Sequence, residues 1–266
     1  ISPNIKERLD HSCAIFDADG DLVSQAAHIP VHLGAMPMAV KAARQHVPFE
    51  DGDVVLVNDP ALGGTHLPDI TAIQALRIHP SDALPIAYVA NRAHHADVGG
   101  IVPGSMGLTE QLSDEGVVIP PTTWINNGII DSAVENSLIQ SMRFPDERKG
   151  DLLAQKAALQ TGITGLQKLL DRLGEKEVLQ GFRELQNAAE RHVRFLIDQI
   201  PNGRYIALEQ LDGDGFSDQP ILLRLTLDVM GDQARFDFTG TSEACRGPMN
   251  CSTPVTHSAI QYVLRC

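Results

Sequence analysis

Hydrophobic positions along this chain change period from stretch to stretch, and each period predicts a different element. Residues Asn4 to Asp10 are polar. Cys13-Ala14-Ile15-Phe16, Asp17-Ala18-Asp19-Gly20 and Leu22-Val23 then read as strand, tight turn and strand, with Gly after Asp supplying the turn chemistry. A loop carrying His28 and His32 leads to a short amphipathic helix from about Met38 to His46, with Pro37 where a first helical turn tolerates it. Val54 to Val57 is a continuous branched and leucine run, suited to a strand buried on both faces. Ile70 to Ile78 and Ile86 to Ala90 predict two more strands, joined by the turn-rich HPSDALP. Residues 99–127 hold Gly, Pro, Ser and Asn without sustained period, and predict an irregular segment covering the loops before it, with Trp124 beside Pro120-Pro121.

The second half reads differently. From about Glu147 to Leu173 and from Glu175 to Ile200, apolar residues recur at three and four. Leu152, Leu159, Leu166 and Leu170 mark one stripe; Leu179, Phe182, Leu185, Val193 and Leu196 mark the other. Gly174 breaks the two, which predicts an antiparallel helical hairpin. After Pro201-Asn202-Gly203 the period falls to two through Leu223, Leu225, Leu227 and Val229, then Ala234, Phe236 and Phe238 beyond a Gly231-Asp232 turn, a β-meander. The fold class expected is α+β: residues 1–145 form a lobe with a mixed sheet that carries the site, 146–200 a helical hairpin insertion, and 201–266 a β-meander followed by the start of a truncated helix.

Composition narrows the partners. A formal net charge of −13 argues against a nucleic-acid or anionic-membrane surface, which needs clustered Lys and Arg. Four cysteines without a CxxC pair fit a reducing, cytoplasmic setting. No apolar run approaches the roughly 18 residues of a membrane span, and no signal peptide is visible. The chain opens on Ile1-Ser2-Pro3 and closes on HSAIQYVLRC, an apolar helical pattern without a stop signal, so a longer polypeptide is expected.

The candidate chemistry lies between Asn58 and Gly100, where NDPALGGTHLPDI and NRAHHADVGG follow neighbouring strands. A His and an Asp three residues apart, after Gly63-Gly64, can turn toward one point. Imidazole with carboxylate is a borderline donor set that suits Mn, Fe, Zn or Co. Two imidazoles and one carboxylate leave coordination positions open, as in a catalytic centre. His66, Asp69 and His94 are therefore the candidate metal ligands, with Asp59, His95 and Asp97 close by. Successive side chains of an extended segment alternate faces, so His94 and His95 cannot both be ligands. Against this stands a loop in which Asp69 caps backbone amides and His66 is solvated. Asp97 is a candidate to orient a ligating imidazole, Asp59 reads equally as a turn residue, and Glu115 as a solvated side chain or an acid/base group. His28 and His32 read as ordinary surface or core histidines. Phosphate-loop, dinucleotide and nucleophile-elbow motifs are absent, so no ATP site is visible in this chain.

At these residues the sequence resembles the hydantoinase B/oxoprolinase family, the B-type subunits of ATP-dependent hydantoinases, 5-oxoprolinases and related ketone carboxylases. The blocks that carry the resemblance are SPNIKERLDHSCAIFDADGDL, IPVHLGAMP, VNDPALGGTHLPDI, NRAHHADVGGIVPGSM, EGVVIPP and FDFTGTSEACRGPMN, from Ser2 to Asn250. The resemblance implies a metal-bearing subunit working in a hetero-oligomer beside an A-type subunit or domain that holds ATP, and a small cyclic amide as substrate. It implies an aspartate and two histidines as ligands: His66 and Asp69 from GGTHLPD, and His94 of the AHHADVGG pair. Asp59, Asp97 and Glu115 remain the candidate catalytic groups, and the isolated chain is expected to be inactive.

Overall fold

The computed structural model describes residues 1–79, 82 and 84–266, so Pro80, Ser81 and Ala83 of the expected HPSDALP turn lie outside the described residues. In chain order the elements are α1 (Pro3–Lys6), β1 (His11–Asp17), β2 (Leu22–Ala27), α2 (His32–His46), β3 (Val54–Val57), β4 (Asp69–Leu76), β5 (Ala87–His94), α3 (Leu112–Glu115), β6 (Thr122–Asn126), β7 (Ile129–Ile130), α4 (Ser132–Ile139), α5 (Pro145–Leu173), α6 (Glu175–Asp198), β8 (Gly203–Leu211), β9 (Ile221–Met230), β10 (Gln233–Asp237) and α7 (Thr253–Val263). They form two compact units, one of residues 1–107, 112–182 and 251–266, the other of 108–111 and 183–250. The class is α+β. No helix among the described residues is long and apolar enough to cross a membrane.

The first unit is built on a seven-stranded sheet in the order β2-β1-β5-β4-β3-β6-β7. Each pairing is antiparallel, which refines the mixed sheet expected from the pattern. Its two faces explain the uninterrupted apolar run of β3. Val55 and Val57 join Phe16, Ile73, Tyr88 and Ala90 in a core with Met36, Ala39, Val40 and Ala43 of α2. Val54 and Leu56 point the other way, into a core with Ile70, Ala72, Val89, Trp124 and Leu152, Leu159 and Leu166 of α5. Side chains alternate along a strand, so a strand covered on both sides is apolar at every position.

Three expectations change. Helix α2 begins at His32, so Pro37 lies inside it. The N–H groups that a helix start leaves open are met by Ser258 of α7, whose Oγ accepts from Gly34 N at 3.0 Å and Ala35 N at 3.1 Å and donates to Val31 O. The segment expected to follow the meander thus packs with the first unit. Second, Thr122 to Asn126 is a strand beside β3 and its Trp124 is fully buried, so this part of the excursion is sheet. Its β-branched and aromatic run favours a strand despite the flanking Pro and Gly. Third, Leu166, Val178 and Phe182 share one core across Gly174, but from Arg183 onward α6 belongs to the second unit. The antiparallel hairpin is confined to the turns beside Gly174, because the stripe of α5 is occupied by the sheet. Leu185 and Leu196, expected on the hairpin seam, are exposed.

The second unit contains the meander, in the order β10-β9-β8. Strands β8 and β9 pair from Gly203↔Val229 to Leu211↔Ile221, and Arg204 meets Asp228 directly opposite it at 2.7 Å.

Asn58, at the end of β3, ties three segments together. Its side-chain amide donates to Leu67 O at 2.8 Å and Val117 O at 2.9 Å, and its Oδ1 accepts from Ile119 N at 2.6 Å. The residue is fully buried. Asn58→Ala leaves these partners without compensation and is expected to cost about 2–4 kcal/mol. A urea unfolding midpoint that falls with unchanged slope is the readout.

Candidate metal centre

The pleat of the sheet decides which residues gather. On the face covered by α2, Phe16 and Ala14 continue back through Ser12 to Asp10. On β4 the same face runs Ile73, Thr71, Asp69, and on β5 it runs Ala90, Arg92, His94. Register makes these neighbours: Asp69 pairs with His94, Thr71 with Arg92, and Ser12 with Arg92. His32, the first residue of α2, comes down on this group from the helix.

His66 joins from the loop before β4, and Gly63-Gly64 let that loop sit where it does. Gly63 has φ +95 and passes so close to Ala39 of α2 that a side chain would overlap its backbone. Gly64 is pressed on Asn58 O in the same way. Only glycine has the freedom and the space for both contacts.

Three donor atoms converge. His66 Nε2 lies 2.9 Å from Asp69 Oδ1, His94 Nδ1 lies 3.2 Å from the same oxygen, and the two nitrogens are 3.2 Å apart. Bonds of about 2.1 Å to one ion set neighbouring donors about 3.0 Å apart in octahedral and about 3.4 Å in tetrahedral geometry. The observed edges fall between, and two imidazole nitrogens at this distance can share only one proton. The donor set therefore fits a divalent ion. Asp69 is only 2% exposed, whereas His66 is 35% exposed, so the cluster opens on the His66 side.

Electrostatics support the same arrangement. Burial works against ionisation of Asp69, but the imidazoles of His32, His66 and His94 hold its carboxyl well below the usual range. Burial lowers His66, and Asp69 more than offsets it, leaving the imidazole above its ordinary value. Thr65 Oγ1 donates to Asp69 Oδ2. Arg92 is fully buried; burial pushes its guanidinium down to about 10 while Asp69 opposes this. It donates to Thr71 Oγ1 at 2.7 Å and Gly63 O at 2.7 Å.

The neighbouring histidine goes elsewhere. His95 is fully buried with its Nε2 2.9 Å from Gln155 Oε1, and Gln155 also donates to Ile70 O and Asn91 Oδ1. Burial lowers the His95 value. Alternation along β5 places His94 with Asp69 and turns His95 toward α5.

The other candidates are placed outside the cluster. Asp59 accepts from Ala61 N at 2.9 Å and caps a short turn of 3₁₀ helix at Pro60–Leu62. Asp97 accepts from the backbone of Gly99, Gly104 and Arg143 and pairs with the Arg143 side chain at 2.8 Å. Glu115 closes α3. Among the described residues, the donor groups that converge are His66, Asp69 and His94, and also Asp10, His32 and Asp69. Reading the sequence missed Asp10 and His32. The alternation of Asp10, Ser12, Ala14 and Phe16 was the signal for the first; for His32 it was the start of a helix packed on the same face.

The fold and site define an α+β protein whose antiparallel sheet carries a buried carboxylate ringed by imidazoles. The chain belongs to the hydantoinase B/oxoprolinase family, whose model matches residues 1–266. It is 37% identical to 5-oxoprolinase 1 of Arabidopsis thaliana over 297 residues, which takes in 100% of this chain and 23% of that protein. Its fold matches the ATP-dependent caprolactamase of Pseudomonas jessenii with a TM-score of 0.88 and 28% identity, covering 95% of this chain and 43% of that one. It matches the nucleotide-free acetone carboxylase with a TM-score of 0.89, covering 99% of this chain and 37% of that one; at 18% identity this likeness is one of fold alone. The chain spans less than half the length of each of these relatives.

Asp97 yields a pH prediction. Burial opposes its ionisation, but the amides of Arg143, Gly104 and Gly99 and the Arg143 guanidinium hold its carboxyl below the ordinary value. Its folded value lies below that of the unfolded chain, so its contribution is complete above about pH 4 and vanishes as pH falls through the folded value. The melting temperature of Asp97→Asn is expected to lie below that of the wild type at about pH 7, and the gap to close by about pH 3. A gap independent of pH contradicts this.

Proposed function

We propose that this chain is the metal-bearing part of an ATP-dependent hydrolase of cyclic amides, of the hydantoin or 5-oxoproline type. It works with an A-type subunit or domain on which ATP is used. The observation that carries the reading is the convergence of His66 Nε2, His94 Nδ1 and Asp69 Oδ1 at 2.9–3.2 Å. A divalent Mn, Zn or Fe ion fits this donor set, and when bound supplies Lewis acidity toward a carbonyl oxygen and eases the ionisation of water.

The chain's own residues have definable parts. His66 and His94 present neutral ring nitrogens and Asp69 a carboxylate kept ionised by its surroundings. Thr65 fixes the orientation of Asp69 through Oδ2. Arg92 adds a fixed positive charge under the cluster, suited to an anionic, phosphorylated reactant. Exposure of His66 leaves the approach from that side. A ketone carboxylase is the second reading, favoured by the likeness of fold to acetone carboxylase; there the same residues face an enolate in place of an amide carbon.

The test is to purify the complete protein with its A-type partner and measure ATP hydrolysis with 5-oxoproline, hydantoins, or ketones plus bicarbonate, alongside elemental analysis. His66→Ala and Asp69→Ala are expected to lose the metal and to lower turnover by more than about 100-fold. Metal-free protein with undiminished turnover overturns the reading, as does amide hydrolysis that needs neither ATP nor partner.

A further inference from the structure

The Asp69 carboxylate has two oxygens, and the three-donor centre uses one of them. Oδ2 faces a second set. His32 Nε2 is 3.5 Å from it, and a carboxylate oxygen of Asp10, His32 and Asp69 lie within 4.8 Å of one another. We propose that a second divalent cation binds here, between Asp69 Oδ2, His32 Nε2 and Asp10, with Asp69 bridging two ions. The proposal rests on the reading of the first centre given above.

His32 carries the argument. It is fully buried, and its Nδ1 is engaged by Ser12 Oγ at 2.8 Å. Its Nε2 is left without a hydrogen-bond partner, although it points at a carboxylate oxygen. A distance of 3.5 Å is too long for a good N–H···O bond, which runs about 2.7–3.2 Å. It is close to the edge of about 3.4 Å that two donors span around a tetrahedral ion with bonds of about 2.1 Å. When Nδ1 gives its proton to Ser12 Oγ, Nε2 carries a lone pair directed at an anion, and a cation between them relieves that contact. The Nδ1 to Ser12 bond is also the support that ligating imidazoles characteristically have on their other nitrogen.

Asp10 is positioned for the third donor by the backbone. Its carbonyl accepts from His94 N at 3.0 Å, so the residue lies alongside the first centre, with its side chain on the face shared by Ser12 and His94. The charges are two carboxylates, Asp10 and Asp69, against one guanidinium, Arg92, with neutral imidazoles. One divalent ion already makes the cluster positive. The second therefore binds more weakly and is strengthened by an anionic reactant. Two ions bridged by one carboxylate lie about 3.5–4 Å apart, the spacing at which paired ions clamp both sides of a reacting group.

The experiment uses the complete protein with its partner, stripped by chelation and titrated with Mn(II). Wild type is expected to bind two ions per chain in two affinity classes and, when saturated, to give the EPR spectrum of a spin-coupled pair. Asp10→Asn and His32→Gln are expected to bind one ion, with the second weakened at least about 100-fold and the coupling lost. The wild-type stoichiometry and spectrum need no variant, so a misfolded His32→Gln does not rescue the proposal. One ion per chain retained in both variants overturns the second site and leaves the proposed function standing. One ion that is lost in either variant also overturns it, because Asp10 or His32 then belongs to a single centre. No bound ion overturns both the second site and the first.

Discussion

A carboxylate almost shut off from water must stay ionised, and the arrangement around the site follows from that constraint. Removing such a charge from solvent is costly unless it is paired and hydrogen-bonded. Asp69 meets the cost with the Thr65 hydroxyl, three imidazoles and the buried guanidinium of Arg92. Each of these has its own anchor: Arg92 on Thr71 and Gly63 O, His32 on Ser12, and His66 on a loop held by glycine contacts with α2 and Asn58. The polar residues at this end of the sheet form one connected set, and the apolar cores on both faces keep its geometry fixed.

The antiparallel sheet does most of the placement. Asp69 and His94 occupy paired positions at the ends of adjacent strands, so their separation is set by register and not by a flexible loop. Shifting β5 by one residue would exchange His94 for Ala93 or His95 and turn the coordinating group into the opposite core. The amide network of Gln155 with His95, Asn91 and Ile70 guards against that slip by fixing β5 to α5 from the other side. His95 thus serves the site by being held away from it.

Much of this was legible in the residues. The three donors His66, Asp69 and His94 could be named because they cluster in two short loops after strands, and alternation settles which of the paired histidines turns inward. The break at Gly174 and the meander after Gly203 follow from the change in period. What escaped has a common cause, which is long range in sequence. Asp10 and His32 gain meaning only when β1 and the start of α2 are brought to β4 and β5. Trp124 reads as loop until β6 is seen to extend the sheet beside β3. The second half of α6 carries a helical stripe whose partner is not the preceding helix, and periodicity alone does not say which surface a stripe meets.

Ser258 closes the longest of these relationships. Its hydroxyl serves amides 223 and 224 residues earlier, at the beginning of the helix whose first side chain is His32. Contacts so distant form late, since the loop between them must close first. During synthesis the strands bearing Asp10, Asp69 and His94 leave the ribosome long before α7, so α2 waits with its first turn open to water. The biogenesis of the site is therefore ordered: its floor is laid early, and the helix that roofs it is secured only when the last part of this sequence has been translated.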